Sequence, residues 1–381
     1  MPEKKITNKF VSVDSLPSDI KDDGLYVINQ ANPNTYTHYF FKYPCKFIPE
    51  IPRWAIKSLI TSDDGSVFDP FAGSGTTLLE GILNGKNSFG VEIDELAKLL
   101  INVKTTQLNK DELEQTKKLF FDLINGIEEK KIELTIAKLF NINHWFPEEN
   151  IKVLGKIRTF IDNIENEKIK NFFRVVFASI IRKSSFADDI SPKPYVSSRI
   201  KKVPSDPLDE FISVFNKYFK TLEELSEIKI NANAQIIGND ALAIKSKLEV
   251  DLIVTSPPYI NAFDYGRTLR LENIWLGFLN EEELRNKKKD YIGTEKIHID
   301  EEMKDLSILE ESTTLRGIYN KITKVDKKRA LIVKKFFQDM KLAISESGRL
   351  LKRKGYFCIV IGNSNIDRKS TRLNSSHGKL S

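Results

Sequence analysis

The sequence predicts an α/β fold in which a parallel β-sheet carries a large helical insertion. A strand at residues 66–68 is followed by a glycine-rich turn, a helix at 76–83 and a second strand at 88–93. This order is typical of parallel sheets, because a crossover helix is needed to bring the second strand alongside the first. Three further β-prone runs lie at residues 235–238, 250–254 and 356–361.

The chain between the second and third predicted strands has a different pattern. Across residues 110–227, apolar side chains recur at the spacing of amphipathic helices, and three prolines at 192, 194 and 204 interrupt the pattern. We therefore expect a helical insertion here. A long amphipathic helix is also predicted at 328–346, followed by a basic turn that ends at Gly355.

The composition is that of an ordinary soluble globular protein, with 40% hydrophobic and 29% charged residues. No run of 18 apolar residues is present and the chain begins with polar residues, so we expect neither a membrane span nor a secretory signal, and a cytoplasmic location. Cys45, Cys358 and four scattered histidines provide neither a disulfide framework nor a metal site. The net charge of +6 is too small to identify a partner by itself.

The C-terminal residues 367–381 have an unusual origin in our interpretation. The first eleven of them resemble a codon-for-codon translation of a common short-read sequencing adapter. We therefore expect this segment to be an artefact, the biological sequence to end near Ile366, and the last strands of the sheet to be missing.

Two segments predict a ligand site. Residues 67–77 read Val-Phe-Asp-Pro-Phe-Ala-Gly-Ser-Gly-Thr-Thr, a strand-to-helix turn whose glycines let the backbone approach a ligand while the helix N-terminus offers free N–H groups. The Gly-Lys-Ser/Thr of a nucleoside triphosphate site is missing from it. Glu92 ends the next strand, and its carboxylate can accept two hydrogen bonds from a diol. The second segment is Thr-Ser-Pro-Pro-Tyr at 255–259, directly after a predicted strand.

These segments together resemble the amino-group DNA methyltransferases, which transfer a methyl group from S-adenosylmethionine to a base amino group. Residues 69–77 are similar to the family's cofactor motif, and residues 256–259 are the serine version of its Asp/Asn/Ser-Pro-Pro-Tyr catalytic motif. Shorter similarities lie at residues 43–50, 238–241, 261–267 and 362–364. The resemblance implies a Rossmann-like fold and S-adenosylmethionine as the cofactor.

The resemblance also assigns the site residues. It implies cofactor binding by Asp69, Phe71, Gly73, Gly75, Thr76, Glu92 and Asp240. Among these, Glu92 would hold the ribose hydroxyls and Asp240 the adenine amino group. The implied catalytic residues are Ser256, Pro257, Pro258 and Tyr259.

A role for the catalytic segment follows from its chemistry. The lone pair of an exocyclic amine is delocalised into the ring, so the amine is a poor nucleophile. The Ser256 hydroxyl and the Pro257 carbonyl can accept hydrogen bonds from its two N–H groups, which makes the nitrogen pyramidal and aims its lone pair at the methyl carbon. The two prolines fix the backbone, and Tyr259 supplies an aromatic face on which an extruded base can stack.

The predicted organisation places the insertion between the two halves of a methyltransferase domain. The expected regions are an irregular arm at 1–35, a cofactor-binding half at 36–105, a helical insertion at 106–230 that contributes to DNA contact, a catalytic half at 231–366 and the artefactual tail at 367–381. The expected partners are DNA and a cognate restriction endonuclease, with no membrane and no metal.

Several functions remain open at this point. In the family the serine version of the motif is associated mostly with cytosine N4, which we favour, and the Asp version with adenine N6. An RNA methyltransferase acting on guanine N2 uses a related motif, and an inactive DNA-binding subunit of a modification system would be a non-enzymatic alternative. A nicotinamide-dependent oxidoreductase is disfavoured, because its Gly-x-Gly-x-x-Gly pattern is missing and the Pro-Pro-Tyr motif would be unexplained.

Overall fold

The computed structural model describes residues 11–13, 26–28, 35–46, 48–129, 131–260 and 265–362. The strands are β1 (Val11–Val13), β2 (Tyr26–Ile28), β3 (Ser66–Asp69), β4 (Asn87–Val91), β5 (Ala234–Gly238), β6 (Val250–Thr255) and β7 (Leu351–Ile359). A five-stranded sheet has the order β5-β4-β3-β6-β7, and every pairing in it is parallel. The short strands β1 and β2 form a separate parallel pair.

The described helices outnumber the strands. They are α1 (Glu50–Leu59), α2 (Thr76–Leu83), α3 (Glu95–Thr105), α4 (Lys110–Glu128), α5 (Ile142–Trp145), α6 (Glu148–Asp162), α7 (Glu167–Ile181), α8 (Pro207–Ser226), α9 (Tyr265–Thr268), α10 (Arg270–Trp275), α11 (Glu281–Lys287), α12 (Ile299–Glu302), α13 (Ile308–Glu311), α14 (Thr313–Thr323) and α15 (Lys327–Gly348). Short 3-10 helices lie at Tyr36–Tyr39 and Lys288–Asp290. The mixed α/β class and the parallel sheet are confirmed.

The centre of the sheet is buried, and the interior residues of its two central strands are mostly apolar. Val67 and Phe68 of β3 and Val254 of β6 are fully buried. Helix α2 contacts β3, β4 and β5, and α1 contacts both α2 and β6. Burial of strands on both faces favours continuous apolar runs over the alternating pattern of half-exposed strands.

Helices α4–α8 lie between β4 and β5, where the sequence predicts the insertion. Their core is aromatic: the rings of Phe120 and Phe215 stack at 3.9 Å between centroids, and Phe172 packs against Phe215 edge-on. Helices α4, α7 and α8 begin at polar caps, of which Asn109 forms a reciprocal capping box with Glu112. Helix α7 packs on α3 and thereby joins the insertion to the sheet.

The prediction of a basic turn ending at Gly355 is wrong, because strand β7 begins at Leu351. The register with β6 shifts from the Val250–Leu351 pair to the Leu252–Tyr356 pair, so the basic residues form a bulge inside the strand. Lys352 donates to both carboxylate oxygens of Asp251 at 3.0 and 2.9 Å. This long-range ion pair, together with strand pairing, overrides the local turn signal.

The long helix predicted at 328–346 corresponds to α15, whereas helices α9–α14 between β6 and α15 were not predicted. Most of them span fewer than eight residues, which is too few turns for a periodic apolar pattern. In the described part of the chain, no helix is long and apolar enough to cross a membrane. The predicted adapter-derived tail lies outside the described residues, as does most of the predicted N-terminal arm.

Candidate active site

The strand order reverses at β3, with β4 and β5 on one side and β6 and β7 on the other. In open α/β sheets, ligands bind at such a point, in the crevice beyond the carboxyl ends of the strands. The last residues of the two strands at the reversal are joined there, because the Thr255 hydroxyl of β6 donates to Asp69 Oδ1 of β3 at 2.6 Å. The sheet thus brings the glycine-rich turn and the catalytic segment to one edge.

Asp69 lies behind this edge of the sheet and joins the segments that meet there through hydrogen bonds. It is fully buried, and besides Thr255 it accepts hydrogen bonds from the Phe71 N–H at 3.0 Å and the Thr77 hydroxyl at 2.7 Å. Burial raises the pKa of its carboxyl to about 6, against the opposing effect of these donors. The carboxylate therefore connects β3, the turn, the start of α2 and the end of β6.

The two glycines of the turn have different surroundings. Both have positive φ, +51° at Gly73 and +81° at Gly75, which favours glycine in each case. Gly73 lines a pocket at the sheet edge and lies under the ring of Tyr43. At Gly75 a Cβ would lie 2.9 Å from Ile101 Cγ1 of α3, so this glycine allows close packing of α3 against the turn.

Glu92 follows β4 and faces the turn. The Gly73 N–H donates to its Oε2 at 2.7 Å and the Asp94 N–H to its Oε1 at 2.8 Å. Burial, with the nearby charge of Asp94, raises the pKa of the Glu92 carboxyl to about 8. The carboxyl of Asp94 is also buried and caps α3 through Ala97 N–H.

The Ser-Pro-Pro-Tyr segment at 256–259 lines the same pocket. Pro257 is buried, whereas Ser256, Pro258 and Tyr259 are partly exposed to the pocket. Gly293, with φ +83°, lies so close that a Cβ there would be 3.1 Å from the Tyr259 carbonyl oxygen. The loop around Gly293 was not recognised in the sequence, because its glycine stands beside no strand or known motif.

Three tyrosines complete the pocket wall. The rings of Tyr43 and Tyr265 stack with centroids 5.8 Å apart, and Tyr291 lies 6.2 Å from Tyr265. Burial raises the pKa of the Tyr43 hydroxyl well above its usual value. These residues come from three separate segments of the chain. Tyr43 and Tyr265 lie in segments that resemble the methyltransferase family, at 43–50 and 261–267, whereas Tyr291 does not.

The structure brings most of the predicted site residues into one pocket. Those that line it are Phe71, Gly73, Thr76, Glu92, Asp240, Ser256, Pro257, Pro258 and Tyr259. Asp69 and Gly75 lie behind the pocket wall, where they hold the turn in shape. Lining residues that the sequence did not assign include Asp94, Lys193, Tyr291, Thr294 and Glu295. Asp94 had a local signal, since it stands two residues after Glu92.

Comparisons with known proteins find methyltransferases. A family model of N6/N4 methyltransferases, described as DNA methylase, matches residues 6–102. The Type II methyltransferase M.MvaI of Kocuria varians is 27% identical over 93% of this chain and 83% of its own length. Over most of its length the chain is therefore similar to a Type II methyltransferase, and residues 6–102 match the DNA methylase family.

Two further Type II methyltransferases are similar to smaller fractions of this chain. The Type II methyltransferase M.BsoBI of Geobacillus stearothermophilus is 26% identical over 67% of this chain, which spans 55% of that protein. The Type II methyltransferase M.AvaI of Anabaena variabilis is 23% identical over 85% of this chain and 73% of its own length. No solved structure matches significantly.

Similarity to this family implies S-adenosylmethionine as the cofactor, and the pocket has groups suited to it. Glu92 presents a carboxylate that a ribose diol can reach, and Gly73 leaves room beside it. Ser74 Oγ and Asp94 Oδ2 are buried pocket-lining atoms that have no hydrogen-bond partner among the described residues. Buried polar atoms are nearly always satisfied, so these two oxygens fit a site completed by a polar ligand.

Proposed function

We propose that this protein transfers a methyl group from S-adenosylmethionine to the exocyclic amino group of a base in DNA, with cytosine N4 as the target. The observation that carries the proposal is a shared pocket: Ser256 and Tyr259 face the same space as Gly73 and Glu92. An inactive DNA-binding subunit would not need the cofactor residues and the Ser-Pro-Pro-Tyr segment to line one pocket.

The cofactor supplies an electrophilic methyl group, and the protein's residues arrange its acceptor. Ser256 Oγ and the Pro257 carbonyl oxygen accept hydrogen bonds from the amine and orient its lone pair. Tyr259 stacks on the extruded base. Glu92 binds the ribose hydroxyls, Asp240 the adenine amino group, and the tyrosine wall excludes water from the reacting atoms.

The choice of DNA is supported by the description of the matching family and by the names of the relatives, which are Type II methyltransferases. Such enzymes modify sites that a cognate restriction endonuclease cleaves, and we include this partner in the proposal. The choice of cytosine N4 is supported by the serine at position 256, through the family association of the serine version.

Nucleoside analysis tests the function and the target base together. The full chain is incubated with S-adenosylmethionine bearing a labelled methyl group and either duplex DNA or, in a parallel reaction, tRNA, and the nucleic acid is digested to nucleosides. We expect label in N4-methyldeoxycytidine, and much less of it with Ser256→Ala at the same protein concentration and reaction time. Label in N6-methyldeoxyadenosine would move the target to adenine, and label in tRNA alone would favour the RNA methyltransferase.

Glu92 is expected to make cofactor affinity depend on pH. The pKa of its carboxyl is about 8, and ribose hydroxyls that donate to the carboxylate stabilise its ionised form. Binding should therefore release a proton, and the affinity should rise roughly tenfold per pH unit between about pH 6 and 8 and level off above. Titration calorimetry in buffers of different ionisation enthalpy measures both effects.

The control variants separate Glu92 from general acid effects. Glu92→Gln should bind more weakly at pH 8 and lose the pH dependence, whereas Glu95→Gln, at the start of α3, should retain it. The pKa of Glu92 is raised in the folded state. Without the cofactor, its contribution to the free energy of unfolding is therefore largest at low pH and is lost as the pH rises through about 8. An unchanged pH dependence in Glu92→Gln would move the ribose site elsewhere.

A further inference from the structure

A short hairpin lies beside the pocket and contributes one side chain, Lys193, to its lining. Residues 187–196, here called the finger, are closed at their base by an isolated antiparallel bridge between Ala187 and Val196. The Asp188 N–H donates to the Tyr195 carbonyl at 2.9 Å. The tip reads Ser-Pro-Lys-Pro at 191–194, and its prolines restrict the backbone. The finger therefore has a fixed shape.

Two cations hold the finger to the insertion. Arg182, at the end of α7, donates to the carbonyl oxygens of Asp188 at 2.9 Å and Pro192 at 3.2 Å, and also to that of Ser191. Lys202 donates to the Ala187 carbonyl at 3.1 Å and to Asp189 Oδ1 at 2.7 Å. Both cations bond finger carbonyls directly, so the finger is anchored rather than loosely attached.

The tip presents an apolar side chain and a cation next to the pocket. Ile190 is 83% exposed, and Lys193, which is also exposed, lines the pocket. Arg199 and Lys201, which follow the finger in the chain, are also exposed cations. Like Lys193, they form no ion pair with the described residues. A surface with unpaired cations beside exposed apolar groups is complementary to a polyanion with an apolar interior.

A base inside a duplex cannot reach Ser256, so it must leave the helical stack. Proteins that distort DNA often insert an apolar side chain between bases, which compensates for lost stacking. We infer that the finger performs this step: Ile190 enters the duplex where the target base leaves, and Lys193 contacts the adjoining phosphate. This inference rests on the proposed function and adds the structural element that opens the DNA.

The test uses duplexes that carry a sequence methylated by the unaltered protein, with the target base either paired or mismatched. Ile190→Ala should reduce turnover on the paired duplex by about tenfold or more, and recover most of it on the mismatched duplex, where extrusion costs less. Val325→Ala, which removes an 89% exposed apolar side chain between α14 and α15, should match the unaltered protein on both duplexes. Selective rescue by the mismatch would not follow from a merely structural role.

Lys193→Ala gives an independent measurement. DNA affinity should fall, and the slope of log affinity against log salt concentration should decrease by about one phosphate contact. Equal turnover of Ile190→Ala and Val325→Ala on the paired duplex, with an unchanged salt slope for Lys193→Ala, would overturn the finger's role while leaving the proposed function intact. If the unaltered protein methylates no DNA, the proposed function itself fails.

Discussion

Replacing Tyr259 with alanine is expected to reduce methyl transfer to DNA by about 5- to 150-fold, because base–aromatic stacking contributes roughly 1–3 kcal/mol. Tyr259 lies in the pocket wall opposite Gly73 and Glu92, where an extruded base would have to lie. The measurement is the turnover rate with labelled S-adenosylmethionine and a duplex that the unaltered protein methylates. Ser256→Ala should lower the same rate, through loss of the hydrogen bond that orients the amine.

Two controls distinguish stacking from other effects of the tyrosine. Tyr259→Phe keeps the aromatic face and should retain activity, although it removes a hydroxyl that lies near Gly362. S-adenosylmethionine affinity should be nearly unchanged in Tyr259→Ala, because the proposed role of this residue is to stack on the base and not to bind the cofactor. Parent rates in both Tyr259→Ala and Ser256→Ala would mean that residues 255–259 form only a turn.

Replacing Gly75 with alanine is expected to destabilise the protein by about 2–4 kcal/mol and to abolish measurable cofactor binding. The residue has φ +81°, and a Cβ there would lie 2.9 Å from Ile101 Cγ1 and 3.4 Å from its Cα. The α3 backbone must shift to accept the methyl group, which moves the turn that carries Gly73 and Ser74. Denaturant unfolding and calorimetric titration measure the two effects.

Gly85 offers a matched control for the backbone conformation. Its φ is +71°, yet a Cβ there would have no atom within 4 Å. In Gly85→Ala the free energy of unfolding should therefore fall only by the cost of a left-handed alanine, about 1–2 kcal/mol, and the cofactor affinity should be unchanged. Equal destabilisation of the two variants, with cofactor binding retained in both, would show that the contact with Ile101 does not shape the turn.

Much of the fold was predictable because its signals are local. The glycine-rich turn between β3 and α2 and the start of α2 at Thr76 follow from residues that are neighbours in sequence. The insertion was predictable from helical periodicity over a long stretch. The start of β7 was not, since it depends on the pairing of Lys352 with Asp251, about a hundred residues away.

The sequence by itself determined the chemistry of this protein: an acid after β4, a glycine-rich turn and a Ser-Pro-Pro-Tyr segment are recognisable from residue type and order. Only the tertiary structure decided which of these groups meet. It put Gly75 against Ile101 rather than in the pocket, brought Gly293 to the carbonyl of Tyr259, and set Lys193 beside the active site. These contacts depend on the order of the strands in the sheet and on the packing of the insertion, and no local pattern encodes the distance between segments that are far apart in the chain.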